Sequence, residues 1–182
     1  MGKRKDHLFH PTEARGWGAF LGHGPVFRDF NHALDPRAAK TVIESGIPIT
    51  FIPYEAARDV LITAADLDRI AASGEIGAWM AGRTRGWLDY WKDDVGINGF
   101  YPFDVMAAAY AIDPGALACA RVKAWIRQPW PLGGFLGLPD ALEVGLESEV
   151  PEHVAPAAEV TYCPETRAGA HDWMIGRLTA GK

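Results

Sequence analysis

The sequence predicts a layered α/β fold, and three observations carry that prediction. A capped segment of helical period, Asp35-Pro36 to Ser45, ends at Gly46. The run Ile47-Pro48-Ile49-Thr50-Phe51-Ile52 follows at once, short, apolar and rich in β-branched residues. Helix then strand across a one-residue glycine turn is half of an α/β repeat, and more helical segments and a strand-like run at Leu117–Ile126 come after it. At 182 residues the chain has the length of one domain with a substantial core, taken as residues 1–182. Its 48% hydrophobic and 23% charged residues are those of an ordinary globular protein.

Residues 1–27 scatter Gly and Pro among aromatics and read mainly as loop. Asp35 is placed to cap a helix whose first residue, Pro36, has no N–H to leave unsatisfied. Ala38, Ala39, Val42 and Ile43 share one face of it. The Ile47–Ile52 run predicts a strand buried on both faces. Ala56–Leu61 reads as a helical turn. Thr63 caps a helix through Ala72 with Asp66 in its first turn, where the helix dipole favours a carboxylate. Gly74 breaks it, and a longer helix spans Glu75–Lys92. In that helix Trp79, Trp87 and Trp91 recur at helical spacing beside Met80 and Leu88, which predicts a buried stripe. Asp93–Gly99 reads as a loop. Asp104–Ile112 is an alanine-rich helix expected to pack closely on a neighbour. In Leu117–Ile126, Cys119, Arg121, Lys123 and Trp125 alternate with Ala118, Ala120, Val122 and Ala124, as a strand with two different faces requires. Leu142–Leu146 and Val160–Cys163 are shorter strands, and Ala170–Leu178 closes the chain as a helix.

A net charge of −5 offers no broad basic field for a nucleic acid. Lys3-Arg4-Lys5 is interrupted at once by Asp6 and reads as solvated. Cys119 and Cys163 cannot build a disulfide framework and form no C-x-x-C pair, so they read as buried thiols of a reducing compartment. No apolar run of signal-peptide or bilayer-spanning length is present. The expectation is a cytoplasmic protein without a membrane or nucleic-acid partner.

Two polar features could carry chemistry. In Arg28-Asp29-Phe30-Asn31, an ionised Asp29 accepts hydrogen bonds while Asn31 both donates and accepts, a pairing suited to a polyhydroxylated ligand. The competing reading is that both merely shape the turn before the helix. In Gly99-Phe100-Tyr101-Pro102-Phe103-Asp104, Asp104 stands at the start of an apolar helix, either as its N-cap or as one ligand of a hard metal such as calcium. His7 and His10 lack partners for a zinc pattern. Gly133-Gly134-Phe135-Leu136-Gly137 reads as a structural loop, and His171-Asp172 as a solvent-facing polar pair. No G-x-S-x-G, G-x-x-x-x-G-K-[ST] or H-E-x-x-H motif occurs.

Taken together, these stretches resemble the inosine–uridine-preferring nucleoside hydrolases, calcium-dependent enzymes that cleave the N-glycosidic bond of ribonucleosides. The resemblance rests on Arg28-Asp29-Phe30-Asn31 with Asp35-Pro36-Arg37-Ala38-Ala39, on Ser45-Gly46-Ile47-Pro48-Ile49-Thr50, on Asn98-Gly99-Phe100-Tyr101-Pro102-Phe103-Asp104 and on Ile112-Asp113-Pro114. It is most similar to a bacterial branch that writes its motifs R-D-F-N and N-P-F-D, and it runs from Met1 to about Ile126. The resemblance implies ribose binding by Asp29 and Asn31. It implies calcium and ribose contacts for Asp104. It also aligns His23 with an asparagine that precedes the acidic ribose ligand. Better-known members carry a histidine, proposed to protonate the leaving base, where this chain has Phe103.

One family motif has no counterpart. The D-x-D-P-G-x-D-D segment supplies most calcium carboxylates and the base for the attacking water, and Ala111-Ile112-Asp113-Pro114-Gly115-Ala116-Leu117-Ala118 imitates it with the other aspartates missing. Met1-Gly2-Lys3-Arg4 aligns with an internal M-G-G motif of the family. The expectation is therefore the C-terminal portion of a nucleoside hydrolase, an open sheet flanked by helices and lacking the N-terminal strands. Such a chain would hold an incomplete calcium site, bind ribonucleoside, and be weakly active or inactive alone. Its partner would be a complementing N-terminal half or a second copy. The alternative is a non-catalytic ribose-binding remnant or interaction module.

Overall fold

In a computed structural model of the chain, residues 32, 34–127, 141–152, 154 and 157–180 are described. His23, Asp29 and Asn31 lie outside the described residues, as do Lys3-Arg4-Lys5, His7, His10 and the Gly133–Gly137 stretch. The described residues fall into two compact units.

The first unit draws on Val26–Glu55 and Cys119–Pro164. Helix α1 (Pro36–Glu44) begins as its sequence requires: Asp35 Oδ1 accepts the Ala38 N–H at 2.9 Å and Pro36 occupies the first turn. Gly46, at φ +76°, lets the chain turn away after it. Of the face expected to be buried, only Ile43 is; Val42 is exposed. Strand β1 is reduced to Thr50–Phe51, with Thr50 exposed and Phe51 buried, not buried on both faces. Pro48 and Pro53 flank it, and neither can donate to a ladder, which confines the pairing to these two residues.

Strands β2 (Leu117–Arg127), β3 (Ala141–Gly145) and β4 (Ala158–Thr166) complete a sheet of order β1-β4-β2-β3. β1 runs parallel to β4, with Thr50 beside Thr161 and Phe51 beside Tyr162. β2 and β3 are antiparallel, from Lys123 opposite Gly145 to Arg127 opposite Ala141. Cys119 bonds Cys163, while Arg121 reaches Thr161 Oγ1 at 3.4 Å and Glu159 at 3.1 Å. Rising along β2 thus means falling along β4, an antiparallel pair. The two faces of β2 differ as its alternation predicts. Val122, Ala124 and Ile126 join Ile43, Phe51, Leu142, Val144, Val160 and Tyr162 in one apolar cluster. On the other face Trp125 Nε1 donates to the buried Glu143 at 3.0 Å, and Lys123 pairs with Glu147 at 3.0 Å.

The second unit draws on Ala56–Ala118 and Glu165–Lys182. Helix α2 (Tyr54–Arg58) leads into it. Helix α3 (Ala64–Ala71) has a full capping box: Thr63 Oγ1 accepts the Asp66 N–H, and Asp66 Oδ2 accepts the Thr63 N–H at 3.0 Å. Helix α4 (Glu75–Tyr90) continues as a single π-turn, Trp91–Val95, where a loop was expected from Asp93. Helix α5 (Phe103–Ile112), a 3₁₀ turn (Pro114–Ala116) and the C-terminal helix α6 (Ala170–Thr179) complete it.

The tryptophan stripe of α4 is not buried as expected. Trp79 is 65% exposed and Trp87 44%; Trp91, at the π-turn, is buried. The contact face of α4 is instead Gly77 and Ala81. A Cβ on Gly77 would collide with the Ile70 carbonyl oxygen and Ser73 Oγ, so α4 approaches α3 through its smallest residue. Trp79 lies on the opposite side of the helix from that face. The alanines of α5 are likewise mostly outward: Met106 and Ala109 are buried, while Ala107, Ala108 and Ala111 are exposed.

The reading of two buried thiols is also overturned. Cys119, exposed, and Cys163, buried, form a disulfide between neighbouring strands, and the reduced-thiol basis for a cytoplasmic location goes with it. The bond closes a loop across a separation of 44 residues. In the chain-entropy picture such a loop contributes about 4 kcal/mol, with native strain and residual structure lowering the observed figure. Reduction, or Cys119→Ala, is expected to lower stability by about 2–4 kcal/mol. Urea unfolding with and without reductant measures this; an unchanged midpoint would show that the thiols do not pair.

Candidate functional site

Asp104 is the sequence-nominated site residue that falls within the described residues, and its position is built from the loop before it. The π-turn ends at Gly96, whose N–H reaches the Trp91 carbonyl at 2.8 Å and whose φ is +82°. The chain then reaches Phe100, which exchanges two backbone hydrogen bonds with Ile62: Ile62 N–H to Phe100 O at 2.9 Å, and Phe100 N–H to Ile62 O at 3.0 Å. Gly99 makes that approach feasible. It sits at φ +152°, and a Cβ there would lie 2.7 Å from Leu61 Cδ1 and 2.8 Å from Ile62 O. Glycine alone combines that backbone with that contact.

From the bridge, Tyr101 and Pro102 lead into α5, where Phe103 N–H bonds Tyr101 O at 3.0 Å and Met106 N–H bonds Pro102 O at 3.1 Å. Met106 is 1% exposed and anchors the first turn. Asp104 is therefore not the N-cap; Pro102 holds that position, and Asp104 lies within the first turn. Its carboxylate is exposed and takes no hydrogen bond or ion pair among the described residues. The helix dipole and unsatisfied N–H groups there favour a negative group. Such a carboxylate can accept hydroxyl protons or ligate a cation.

The aromatic residues of the loop that leads to it and of the end of α4 form one cluster. Trp91 meets Tyr101 edge-on at 5.1 Å and Trp87 edge-on at 6.1 Å, and lies tilted against Phe103 at 5.9 Å between ring centroids. Trp87 stacks on Tyr90 at 5.2 Å. Burial, with a hydrogen bond to the Asp94 carboxylate, pushes the Tyr90 phenol up to about 12, so it stays protonated across the physiological range. Phe103 contributes a ring and no proton.

A calcium ion takes six to eight oxygen ligands. Among the described residues no group of three or more His, Cys, Asp or Glu side chains could hold a metal, and Asp104 alone does not fit the ion. The Asp113-Pro114-Gly115 run that imitates the family's metal motif has a local role: Asp113 Oδ1 accepts the Gly115 N–H at 2.9 Å and caps the 3₁₀ turn.

A cavity of about 350 Å³ lies elsewhere in the second unit, lined by residues including Asp59, Thr166, Arg167, His171 and Asp172. Asp59 Oδ2 accepts the Thr166 N–H at 3.0 Å. His171 and Asp172 do reach solvent, as expected from sequence, but His171 is half-buried and bridges two carboxylates. Its Nε2 lies 3.2 Å from the buried Asp66 of α3, and its Nδ1 3.1 Å from Asp172. Sequence reading missed this contact because Asp66 and His171 are brought together only by the packing of α3 against α6.

Comparison with known proteins completes the picture. The family model described as inosine-uridine preferring nucleoside hydrolase matches residues 17–161. The chain belongs to that family. The pyrimidine-specific ribonucleoside hydrolase RihA of Salmonella enteritidis is 29% identical over 113 residues, which are 61% of this chain and 36% of that protein. A probable ribonucleoside hydrolase of Dictyostelium discoideum is 30% identical over 102 residues, 52% of this chain and 30% of its own length. The fold is similar to a plant nucleoside hydrolase, PpNRh1, with TM-score 0.66, 18% identity, and coverage of 80% of this chain and 46% of that one. It is also similar to a purine-preferring ribonucleoside hydrolase from Gardnerella vaginalis, with TM-score 0.64, 18% identity, and coverage of 82% and 45%. The α/β sheet with flanking helices is thus a nucleoside-hydrolase fold, and the chain spans about a third of the curated relatives it matches. No helix among the described residues is long and apolar enough to cross a membrane.

Gly99→Ala is expected to destabilise the second unit by about 2 kcal/mol and to shift the start of α5, because the new Cβ meets Leu61 and Ile62. Thermal unfolding with far-ultraviolet circular dichroism reads both effects. A variant as stable as the parent would show that the loop has room that its backbone contacts deny.

Proposed function

We propose that the chain is the ribose-gripping portion of a calcium-dependent nucleoside N-ribohydrolase. The observation that carries this reading is the family match over residues 17–161, which takes in both the Asp29–Asn31 stretch and Asp104. In this reading Asp29 and Asn31 bind ribose hydroxyls, His23 stands beside them, and Asp104 contacts the ribose and contributes one calcium carboxylate. The substrate class is a ribonucleoside. Scission of its C–N bond builds positive charge at the ribose, by analogy with glycosides, and an ionised Asp104 nearby favours that charge.

The absence of D-x-D-P-G-x-D-D from the 182 residues limits what this portion does by itself. Asp104 offers at most two of the oxygens calcium needs, so no metal-activated water is assigned to this chain. A histidine proton donor is also missing where Phe103 stands. The aromatic cluster at that point supports a leaving base held by ring contacts, with its proton supplied by another group or by water. A second reading, a ribose-binding remnant without catalysis, is favoured by the exposure of Asp104 without any cation-holding neighbour among the described residues.

Release of reducing sugar from uridine or inosine tests both. The chain alone is expected to give no appreciable turnover, with or without calcium. Mixed with a polypeptide that carries the missing motif, it is expected to turn over, to stop on chelation, and to lose about 100-fold with Asp104→Ala. Turnover by the chain alone that is abolished by chelator and by Asp104→Ala would overturn the division of the site. Continued inactivity of a mixture that forms a complex would leave the remnant reading standing.

A further inference from the structure

We propose that His171 is a pH-sensitive fastener that holds the C-terminal helix α6 onto α3 as an imidazolium and loosens it when the ring loses its proton. The geometry carries this without reference to the hydrolase site. A carboxylate stands at each ring nitrogen: Asp66 Oδ2 at 3.2 Å from Nε2 and Asp172 Oδ1 at 3.1 Å from Nδ1. An ionised carboxylate only accepts hydrogen bonds, and a neutral imidazole has a single N–H to give. In the neutral ring one nitrogen lone pair must face a carboxylate oxygen. Only the doubly protonated ring satisfies both sides.

The α3 side of the contact is rigid. Asp66 is 5% exposed and cannot swing away, because Oδ2 also accepts the Thr63 N–H at 3.0 Å and the Thr63 hydroxyl at 2.7 Å within the capping box. One carboxylate therefore closes the N-terminus of α3 and receives the C-terminal helix. At that end α6 has no side-chain cap: Gly169 is its N-cap and supplies no side-chain hydrogen bond, and Ala170 is the one buried residue of its first turn. Beyond the first turn Met174 and Ile175 are buried and anchor the rest of the helix.

The charged groups around His171 are few. From α3 come Asp66 and Arg69, the latter 3.7 Å from Asp66 Oδ1; from α6 itself comes Asp172; Asp59 and Arg167 line the adjoining cavity. Burial acts to lower the imidazole, but the hydrogen bonds and charges of Asp172 and Asp66 outweigh it and hold His171 above its ordinary 6.5. Burial acts to raise Asp66, but the Thr63 hydrogen bonds, with His171, outweigh it and hold the carboxyl below its ordinary 3.8. The His171 contribution is complete below 6.5 and is lost as pH rises through the raised value. The Asp66 contribution is complete above 3.8 and is lost as pH falls through the lowered one. The fastener is closed between these limits and opens on the alkaline side through His171.

Amide hydrogen exchange of residues 170–179 in the 182-residue chain at pH 6 and pH 9, corrected for intrinsic rates, tests this directly. The opening equilibrium of α6 is expected to rise roughly three- to tenfold at the higher pH, the range left to a charge-assisted pair at a partly exposed site. His171→Gln is expected to be open to the alkaline level at both values. If that variant does not fold, Asp172→Asn, which removes the exposed partner alone, is expected to move the opening midpoint to lower pH. Equal protection of the parent at both pH values overturns the proposal. So does an unchanged pH dependence in His171→Gln or an unshifted midpoint in Asp172→Asn.

Discussion

The two backbone hydrogen bonds between Ile62 and Phe100 are the constraint on which the rest of the second unit depends. One strand of the bridge leads directly to Thr63 and the capping box of α3, and the other to Asp104 in the first turn of α5. Gly99 allows the two segments to meet, and Met106 holds α5 once they have met. A single pairing therefore fixes both the carboxylate nominated for ribose and the carboxylate that receives the C-terminal helix. A shift of the bridge by one residue would move the start of both helices, and both carboxylates with them.

Phe103 sets the chemistry of the proposed site. A phenyl ring beside Trp91 and Tyr101 supplies contact area and a π-face but no acid. The proposed division of labour follows: this portion holds the sugar and surrounds the base, while water activation and most of the metal shell belong to residues it does not contain. Asp104 suits that role, since an exposed carboxylate at a helix N-terminus is stabilised without a partner and is free to take one.

Local rules made much of this legible in the sequence. Asp35-Pro36, Thr63 with Asp66, Gly74 and Gly46 each act within a turn of themselves, and each does in the structure what its chemistry requires. The alternation of β2 likewise foretold its two faces. What escaped depends on contacts that no local pattern encodes. The disulfide joins cysteines whose strands become neighbours only in the sheet order. The tryptophan stripe failed because helix periodicity cannot say that Gly77 and Ala81 make the close contact. His171 acquired its meaning from Asp66, on a helix far away in sequence. Of the two readings open for Asp104, the structure removes the N-cap, because Pro102 holds that position and Asp104 follows within the first turn of α5.

The central claim is that Asp104 and the Asp29–Asn31 stretch grip one sugar. A double-mutant cycle on ribose binding, measured by isothermal titration calorimetry with Asp29→Ala, Asp104→Ala and both together, tests it most directly. Residues that share a ligand are expected to weaken binding singly and to show a coupling of about 0.5 kcal/mol or more in the pair. Strictly additive losses, or ribose binding that is indifferent to Asp104, would contradict the account.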